Sequence, residues 1–169
     1  RVRPVIPRDK KKDPFLCPSD VIVHVNEENK SIQLIRDEFE SKKFLFQCVL
    51  GASASQVDVY RNCKNVVNGF LDGYNGCILA YGASGTGKTY TIFGNDCERN
   101  PPFPATSGLM QMAALDVLSS LSPQDTLFIS FYEIYCDEIT DLLVENVFME
   151  QSPLHIRETM EGVVIEGLC

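Results

Sequence analysis

The residues Gly76-Cys-Ile-Leu-Ala-Tyr81, followed at once by Gly82-Ala-Ser-Gly-Thr-Gly-Lys-Thr89, decide the fold of this chain. The first stretch is a continuous apolar run bounded by glycines, which is typical of a short strand buried on both faces. The second satisfies the pattern G-x-x-x-x-G-K-[ST], in which a glycine-rich turn joins a strand to a helix. Together they predict an α/β domain with a phosphate-binding loop.

Each position of the loop has a mechanical reason. Glycines let the backbone turn tightly, so that successive N–H groups point at phosphate oxygens where a side chain would collide. Lys88 is placed to reach the β- and γ-phosphates, the Thr89 hydroxyl to coordinate Mg²⁺, and the following helix to present its positive N-terminal end. An accidental glycine-rich turn is the alternative, and the strand and helix predicted around the loop argue against it. The predicted phosphate-binding residues are Gly82, Ala83, Ser84, Gly85, Thr86, Gly87, Lys88 and Thr89, with Thr89 as the metal ligand.

The other elements alternate between strand and helix patterns. Apolar residues that recur three and four positions apart predict one helix from Ser55 to Gly73 and another from Leu109 onward. β-rich runs predict a hairpin of residues 21–25 and 31–35, and a closing hairpin of residues 154–157 and 163–165. Further strands are predicted at 2–6, 44–50 and 126–135, a helical turn at 139–144, and loops at 7–18 and 95–107.

Composition narrows the class of protein. The chain has 169 residues, of which 44% are hydrophobic, enough for the core of one domain. No run approaches the roughly 18 apolar residues of a membrane span, so we expect a soluble, intracellular protein. The net charge of −8 argues against nucleic-acid binding, which needs a basic surface. The basic cluster at residues 8–12 is interpreted as a solvated loop rather than a docking patch.

The cysteines and histidines suggest no metal site. Seven cysteines, an odd number without a C-x-x-C pair, are expected to be reduced thiols. Cys63 and Cys77 fall in apolar stretches, where cysteine packs as a small hydrophobe. His24 and His155 stand alone within predicted strands and are interpreted as ordinary half-buried or surface residues.

Residues 70–94 closely resemble the kinesin family pattern G-Y-N-G-x-I-x-A-Y-G-Q-T-G-T-G-K-T-x-T-M-x-G. Further blocks follow in the family's order and cover nearly the whole chain. They are Arg1-Val-Arg3-Pro4 for R-x-R-P, Phe44-Leu-Phe46 with Val49 for F-x-F-D-x-V, Gln56-Val-Asp-Val-Tyr60 for Q-x-x-V-Y, residues 131–143 for Y-x-E-I-Y-x-E-x-I-x-D-L-L, and residues 154–168 for the strand pair that ends in K-G-L.

The resemblance implies a fold and an activity. The implied fold is a P-loop NTPase-type three-layer sandwich, with a central mixed sheet flanked by helices. Residues 1–169 would be the N-terminal half of a motor domain, cut before both switch motifs. The implied parent protein is an ATP hydrolase that uses ATP and Mg²⁺ to move along microtubules, located in the cytoplasm on the microtubule cytoskeleton. Tubulin is the implied partner, a homodimer through a stalk is left open, and neither nucleic acid nor a membrane span is expected.

The resemblance also implies contacts to the base. In kinesins the R-x-R-P segment packs on adenine, so Arg1 and Pro4 would hold the base by cation–π and apolar contact. The residue after G-K-T completes that sandwich, and here it is Tyr90. Without the resemblance, a proline that ends a strand and a tyrosine in a first helical turn would be interpreted as structural.

Some positions depart from the family pattern. Ala83 and Ser84 replace the usual Gln and Thr, which removes a side chain commonly found beside the nucleotide and predicts a modest change in affinity. Gln47, Ile92 and Glu166 stand where the family has Asp, Met and Lys. None of these three touches the phosphate chemistry.

Hydrolysis needs groups beyond the loop, because the attacking water must be positioned and the γ-phosphate sensed by segments that move. Kinesins supply them from N-x-x-S-S-R-S-H and D-L-A-G-S-E, and neither occurs in residues 1–169. We therefore assign no catalytic residue and expect the 169-residue chain alone to be inactive. Asp137-Glu138 after an apolar run could be taken for a Mg²⁺-holding acid, but the family's structural strand and turn explain these residues better.

Three hypotheses follow. The first is an ATP-driven microtubule motor, and the intact Lys88 and Thr89 favour it. The second is a nonmotor, kinesin-like microtubule-binding or scaffold protein with weak or no ATP turnover, which a decayed switch motif would indicate. The third is another P-loop enzyme such as a small-molecule kinase, which the flanking matches disfavour.

Overall fold

The computed structural model describes residues 1–4, 23–35, 41–95, 106–144, 154–160 and 162–168. These residues form two compact units, Arg1–Leu121 and Ser122–Cys169. The basic cluster at residues 8–12, the predicted loop at 7–18 and most of the predicted loop at 95–107 lie outside the described residues.

The first unit opens with a three-stranded antiparallel sheet of β1 (Val23–Asn26), β2 (Ser31–Ile35) and β3 (Ser41–Leu45), in that order. The predicted hairpin is confirmed by the β1–β2 pairing. The strand predicted at 44–50 instead begins at Ser41 and ends at Leu45. The prediction was based on the apolar residues of this segment. The strand instead depends on backbone pairing with β2, and this pairing includes the exposed polar residues Ser41 to Lys43.

Helix α1 (Gln56–Leu71) confirms the first predicted helix and has well-defined ends. At its start, Ser55 and Asp58 form a capping box in which each side chain accepts from the other's backbone N–H. At its end, the Gly73 N–H donates to the Phe70 carbonyl and the Tyr74 N–H to the Gly69 carbonyl, with Gly73 at φ 89°. This left-handed glycine satisfies carbonyls that would otherwise lack donors.

Two further helices are α2 (Lys88–Phe93) and α3 (Leu109–Ser120), and α3 confirms the second predicted helix. The core forms between α1 and α3, and its buried side chains are Val59, Tyr60, Val67, Leu109 and Val117. The Tyr60 hydroxyl donates to Asp116 Oδ2 at 2.6 Å, and Lys64 Nζ donates to the same oxygen at 2.9 Å. A polar bridge thus fixes the two helices beside their apolar contact.

Helices α2 and α3 meet through two glycines. Gly94 pairs with Ser107 in an isolated bridge, and the Asn95 N–H donates to the Thr106 carbonyl at 3.1 Å. A Cβ added at Gly108 would lie 2.1 Å from the Ile92 carbonyl oxygen, so no larger residue fits without moving backbone. The joint brings the end of α2 directly against the start of α3.

The prediction of a buried strand at residues 76–81 is wrong. Residues 76–81 have no strand pairing, and the side chains of Leu79 and Tyr81 are 82% and 96% exposed. A buried strand requires neighbouring strands, and the described strands pair only within local antiparallel groups. Cys77 is accordingly exposed, against expectation, whereas Cys63 is half-buried against the core as predicted.

The predicted first strand is also absent from residues 1–4, the described part of that segment. One backbone hydrogen bond nevertheless holds residues 1–4 in place: the Val2 N–H donates to the Leu50 carbonyl at 2.8 Å. The segment is thereby tied to the residues that lead into α1.

The second unit contains two hairpins, β4 (Tyr132–Tyr135) with β5 (Glu138–Asp141), and β6 (His155–Thr159) with β7 (Gly162–Glu166). The closing hairpin is confirmed. Of the strand predicted at 126–135, only the residues of β4 form a strand. The prediction of a helical turn at 139–144 is wrong, because β5 begins at Glu138 and ends at Asp141. Cys136 and Asp137 both have positive φ, 50° and 65°, which is the backbone of a two-residue hairpin turn and places Ile139 opposite Ile134.

The described residues thus contain both helices and strands. The ranges that the structure describes contain three separate antiparallel sheets and no central mixed sheet. Within the same ranges, no helix combines the length and apolar character needed to cross a membrane.

Candidate functional site

A cavity of about 950 Å³ in the first unit brings together most of the predicted site residues. Its wall includes residues of the glycine-rich loop, which we call the phosphate end of the site, and Arg1, Pro4 and Tyr90, which we call the base end. The predicted residues that line it are Arg1, Pro4, Gly82, Gly85, Thr86, Gly87, Lys88 and Tyr90. Ala83, Ser84 and Thr89 are exposed and lie outside its wall.

The loop takes its shape from glycine conformation and one hydroxyl. Gly85 and Gly87 have φ of 79° and 95°, a left-handed backbone that other residues adopt only under strain. The Thr86 hydroxyl donates to the Ala83 carbonyl at 2.7 Å and closes the turn from within. A Cβ added at Gly85 would meet no atom within 4 Å, so this face of the loop is open to an incoming group.

Lys88 at the start of α2 is half-buried over the loop. Its Nζ donates to the Gly82 carbonyl at 2.8 Å and to the Ala83 carbonyl at 2.9 Å. These contacts hold the ammonium at the mouth of the turn, where phosphate oxygens could replace the two carbonyls as acceptors. A triphosphate would offer charged acceptors there, which form stronger hydrogen bonds than neutral carbonyls.

The residues present fit a magnesium ion only in combination with phosphate. The described part of the chain holds no group of three or more His, Cys, Asp or Glu residues that could bind a metal. The Thr89 hydroxyl is exposed in the first turn of α2 and is an oxygen donor of the kind that Mg²⁺ accepts. Phosphate oxygens would have to supply further ligands.

The base end of the cavity is built on Arg1 and Tyr90. The Arg1 guanidinium carbon lies 5.1 Å from the centroid of the Tyr90 ring, within cation–π distance. Arg1 also donates to the Ala54 carbonyl at 3.4 Å and to Thr91 Oγ1 at 3.5 Å. Pro4 is exposed and lines the same cavity. Arg1 and Tyr90 are therefore neighbours, and Pro4 shares their cavity.

Sequence analysis assigned no role at the site to Gln56, which hydrogen-bonds to two of the three predicted base residues, Arg1 and Tyr90. Its side chain accepts a hydrogen bond from the Arg1 guanidinium and donates one to the Tyr90 carbonyl at 2.6 Å. Gln56 is only 2% exposed. A signal was available: Gln56 is a polar residue one turn before Val59 and Tyr60, on the helix face that becomes buried.

Two other candidates have ordinary roles. Cys63 lines the cavity and packs against the core, and burial raises the pKa of its thiol, as expected of a cysteine that packs as a small hydrophobe. Asp137 occupies the turn of the β4–β5 hairpin and Glu138 opens β5, which agrees with the structural interpretation of this segment.

Comparison with known proteins agrees with these features. Residues 1–169 match the family described as the kinesin motor domain. The chain is 38% identical over 138 residues to the kinesin-like protein KIN-5A of Arabidopsis thaliana, an alignment that covers 75% of this chain and 13% of the relative. It is 35% identical over 148 residues to KIN-UA of Arabidopsis thaliana, covering 85% of this chain and 16% of the relative.

A third relative gives the same result. The kinesin heavy chain of Syncephalastrum racemosum is 33% identical over 153 residues, which covers 87% of this chain and 16% of the relative. The chain thus spans about 13% to 16% of the length of these curated relatives. With a match along its whole length, the chain belongs to the kinesin motor domain family.

Proposed function

We propose that this chain is the ATP-binding part of a microtubule motor that couples ATP hydrolysis to movement along microtubules. One observation carries the proposal: in a kinesin-family chain, Lys88 and the glycines of the loop line the same cavity as the Arg1–Tyr90 pair. The loop offers backbone donors and an ammonium to phosphates, and the pair offers a cation and a ring to a base.

Each residue has a role in the proposed complex. The glycine-rich loop and Lys88 bind the β- and γ-phosphates, and the Thr89 hydroxyl binds Mg²⁺. Mg²⁺ when bound neutralises charge that develops on the phosphates. Arg1, Pro4 and Tyr90 hold the base. Ala83 and Ser84 contribute backbone to the loop.

The proposal extends to the whole protein. Residues 1–169 would supply the N-terminal half of a P-loop three-layer sandwich with a central mixed sheet. We assign hydrolysis and tubulin binding to residues outside this segment; for hydrolysis the ground is that the two motifs with which kinesins position the water and sense the γ-phosphate do not occur in residues 1–169. The protein would act in the cytoplasm on the microtubule cytoskeleton.

Calorimetric titration of the chain with Mg-ATP tests the binding step. We expect saturable binding of one ATP per chain, displaced by ADP. Absence of binding would contradict the proposal and favour a nonmotor scaffold. Phosphate release with and without microtubules tests the second step, and the 169-residue chain should show no microtubule-stimulated release. Stimulated release would contradict the assignment of hydrolysis to residues outside it.

A further inference from the structure

We propose that Gln56 is a positioning residue for the nucleotide base, because its side-chain amide joins Arg1 to Tyr90, two of the residues proposed to hold that base. The inference rests on the proposed nucleotide binding and adds a residue that lies outside both the phosphate loop and the R-x-R-P segment. It concerns the base end alone and predicts no role in phosphate binding.

The contacts join three separate parts of the chain. Gln56 is the first residue of α1, Arg1 lies 55 positions before it and Tyr90 lies 34 positions after it. Both ends of the amide are in use, the oxygen toward the Arg1 guanidinium and the nitrogen toward the Tyr90 carbonyl. The side chain is almost fully buried, so water cannot replace these partners freely.

The chemistry of the partners requires an amide. A guanidinium only donates hydrogen bonds and a backbone carbonyl only accepts them, so the side chain between them must present one acceptor and one donor. Glutamine does so with a fixed geometry. Glutamate offers acceptors alone, and leucine offers neither. The same argument fixes the orientation of the amide, since a flipped Gln56 would set donor against donor and acceptor against acceptor.

The amide has a rigid support. Ser55 and Asp58 cap the start of α1, and Val59 and Tyr60 in the same turn are buried in the core. The backbone that carries Gln56 is therefore fixed by the cap and by the core. Ordering these side chains before the ligand arrives removes part of the entropy loss on binding.

Two ligands separate positioning from general stabilisation. Mg-ATP contacts both ends of the cavity, whereas Mg-tripolyphosphate offers phosphates without a base. In the 169-residue chain we expect Gln56→Leu to weaken Mg-ATP binding about tenfold, which is the loss expected of a buried hydrogen bond to a charged group. Tripolyphosphate affinity should change less than about twofold. Equal losses for both ligands, or none for either, would overturn the proposal.

Ser55→Ala is the matched control. It removes the cap at the same end of α1 but contacts neither Arg1 nor Tyr90. In Ser55→Ala, the ratio of the Mg-ATP affinity to the Mg-tripolyphosphate affinity should stay at the wild-type value. A ratio that falls as far as in Gln56→Leu would show that loosening of the helix start explains the effect, and would overturn a positioning role.

A measurement without nucleotide keeps the two proposals distinguishable. With 3-fluorotyrosine incorporated, the ¹⁹F signal of Tyr90 is assigned by its loss in Tyr90→Phe. We expect Gln56→Leu to shift this signal and Ser55→Ala to leave it in place. Gln56→Glu, which keeps an acceptor for Arg1 but no donor for the Tyr90 carbonyl, should shift it as well. This variant also tests the proposal if Gln56→Leu fails to fold.

The failure of the proposed function and the failure of the positioning role give different results. A wild-type chain that binds neither ligand contradicts the proposed function, while the Tyr90 signal still reports on Gln56. A Tyr90 signal that is unmoved in folded Gln56→Leu and Gln56→Glu overturns the positioning role, even if ATP binds.

Discussion

The two ends of the cavity are built in different ways. The phosphate end is one continuous segment, residues 82–89, whose shape comes from glycine backbone and from contacts within the loop. The base end joins Arg1, Gln56 and Tyr90, which are far apart in sequence and meet only in the folded chain. A local motif therefore carries one half of the site, and tertiary packing carries the other.

This difference has a consequence for substitutions. Changes at the phosphate end should affect any ligand that carries phosphates. Changes at the base end should affect only ligands that carry a base. Mg-ATP and Mg-tripolyphosphate can therefore sort residues between the two ends, in experiments that range from large effects to none.

The largest effect is expected for Lys88→Ala. The variant removes the ammonium that lies over the loop, and with it charge-assisted hydrogen bonds to phosphate. Both ligands should bind about a hundredfold more weakly, measured by calorimetry. Lys64→Ala, which removes an exposed lysine that pairs with Asp116, is the control and should leave both affinities unchanged. A loss confined to ATP would contradict the assignment of Lys88 to the phosphates.

A smaller and selective effect is expected for Tyr90→Ala. Loss of the ring should weaken Mg-ATP binding about tenfold, since stacking on an aromatic side chain contributes about 1–3 kcal/mol per base. Tripolyphosphate binding should be unchanged. Tyr90→Phe should retain most of the ATP affinity, because a phenyl ring also stacks. Tyr74→Ala removes an exposed ring that does not line the cavity and serves as control.

A gain of about twofold to threefold in ATP affinity is expected when the family residues are restored with Ala83→Gln and Ser84→Thr. Both positions are exposed, so larger side chains fit without displacing the core. Surface contacts of this kind are worth a few tenths of a kcal/mol to about 1 kcal/mol. Competition of the double variant against wild type for a fluorescent ATP analogue measures the gain. A loss would show that the two small residues suit this loop.

No effect on either affinity is expected for Tyr60→Phe, which acts on stability instead. The variant removes the hydrogen bond from Tyr60 to Asp116 between α1 and α3 and should lower the free energy of unfolding by about 1 kcal/mol, measured with urea. Tyr74→Phe at an exposed ring is the control. A change in either ligand's affinity would show that the core bridge and the site are coupled.

The same bridge predicts a pH dependence. Hydrogen bonds from Tyr60 and Lys64 hold the pKa of the Asp116 carboxyl below its ordinary value. A lowered carboxyl pKa stabilises the fold above the unfolded-state pKa, and this contribution is lost as the pH falls through the lowered folded-state value. The stability gap between wild type and Tyr60→Phe should therefore narrow below about pH 4.

The contrast between local and long-range structure also explains what could be predicted from the sequence. The β1–β2 hairpin, helix α1 and the β6–β7 hairpin depend on turn residues, caps and short-range periodicity, and their existence was predicted. The buried strand at 76–81 was not, since an apolar run specifies burial only where other strands pair with it.

The site follows the same rule. The loop was identified from consecutive residues, and Arg1, Pro4 and Tyr90 from family blocks. Gln56 was missed because its importance depends on two partners that no periodicity relates to it. Two hints were available: Gln56 is a polar residue on the buried face of a helix, and it matches the first position of the family block Q-x-x-V-Y.

The close contact of α2 with α3 at Gly94 and Gly108 has a consequence for the length of the connection between these helices. Gly94 and Ser107 are paired, so these two positions lie next to each other. The entropy of closing a connection between two neighbouring positions grows only with the logarithm of the number of residues in it, by about 0.6 kcal/mol for each doubling. We therefore expect that residues can be inserted between Gly94 and Ser107 with little loss of stability, provided that Gly94 and Gly108 keep the two helices in contact.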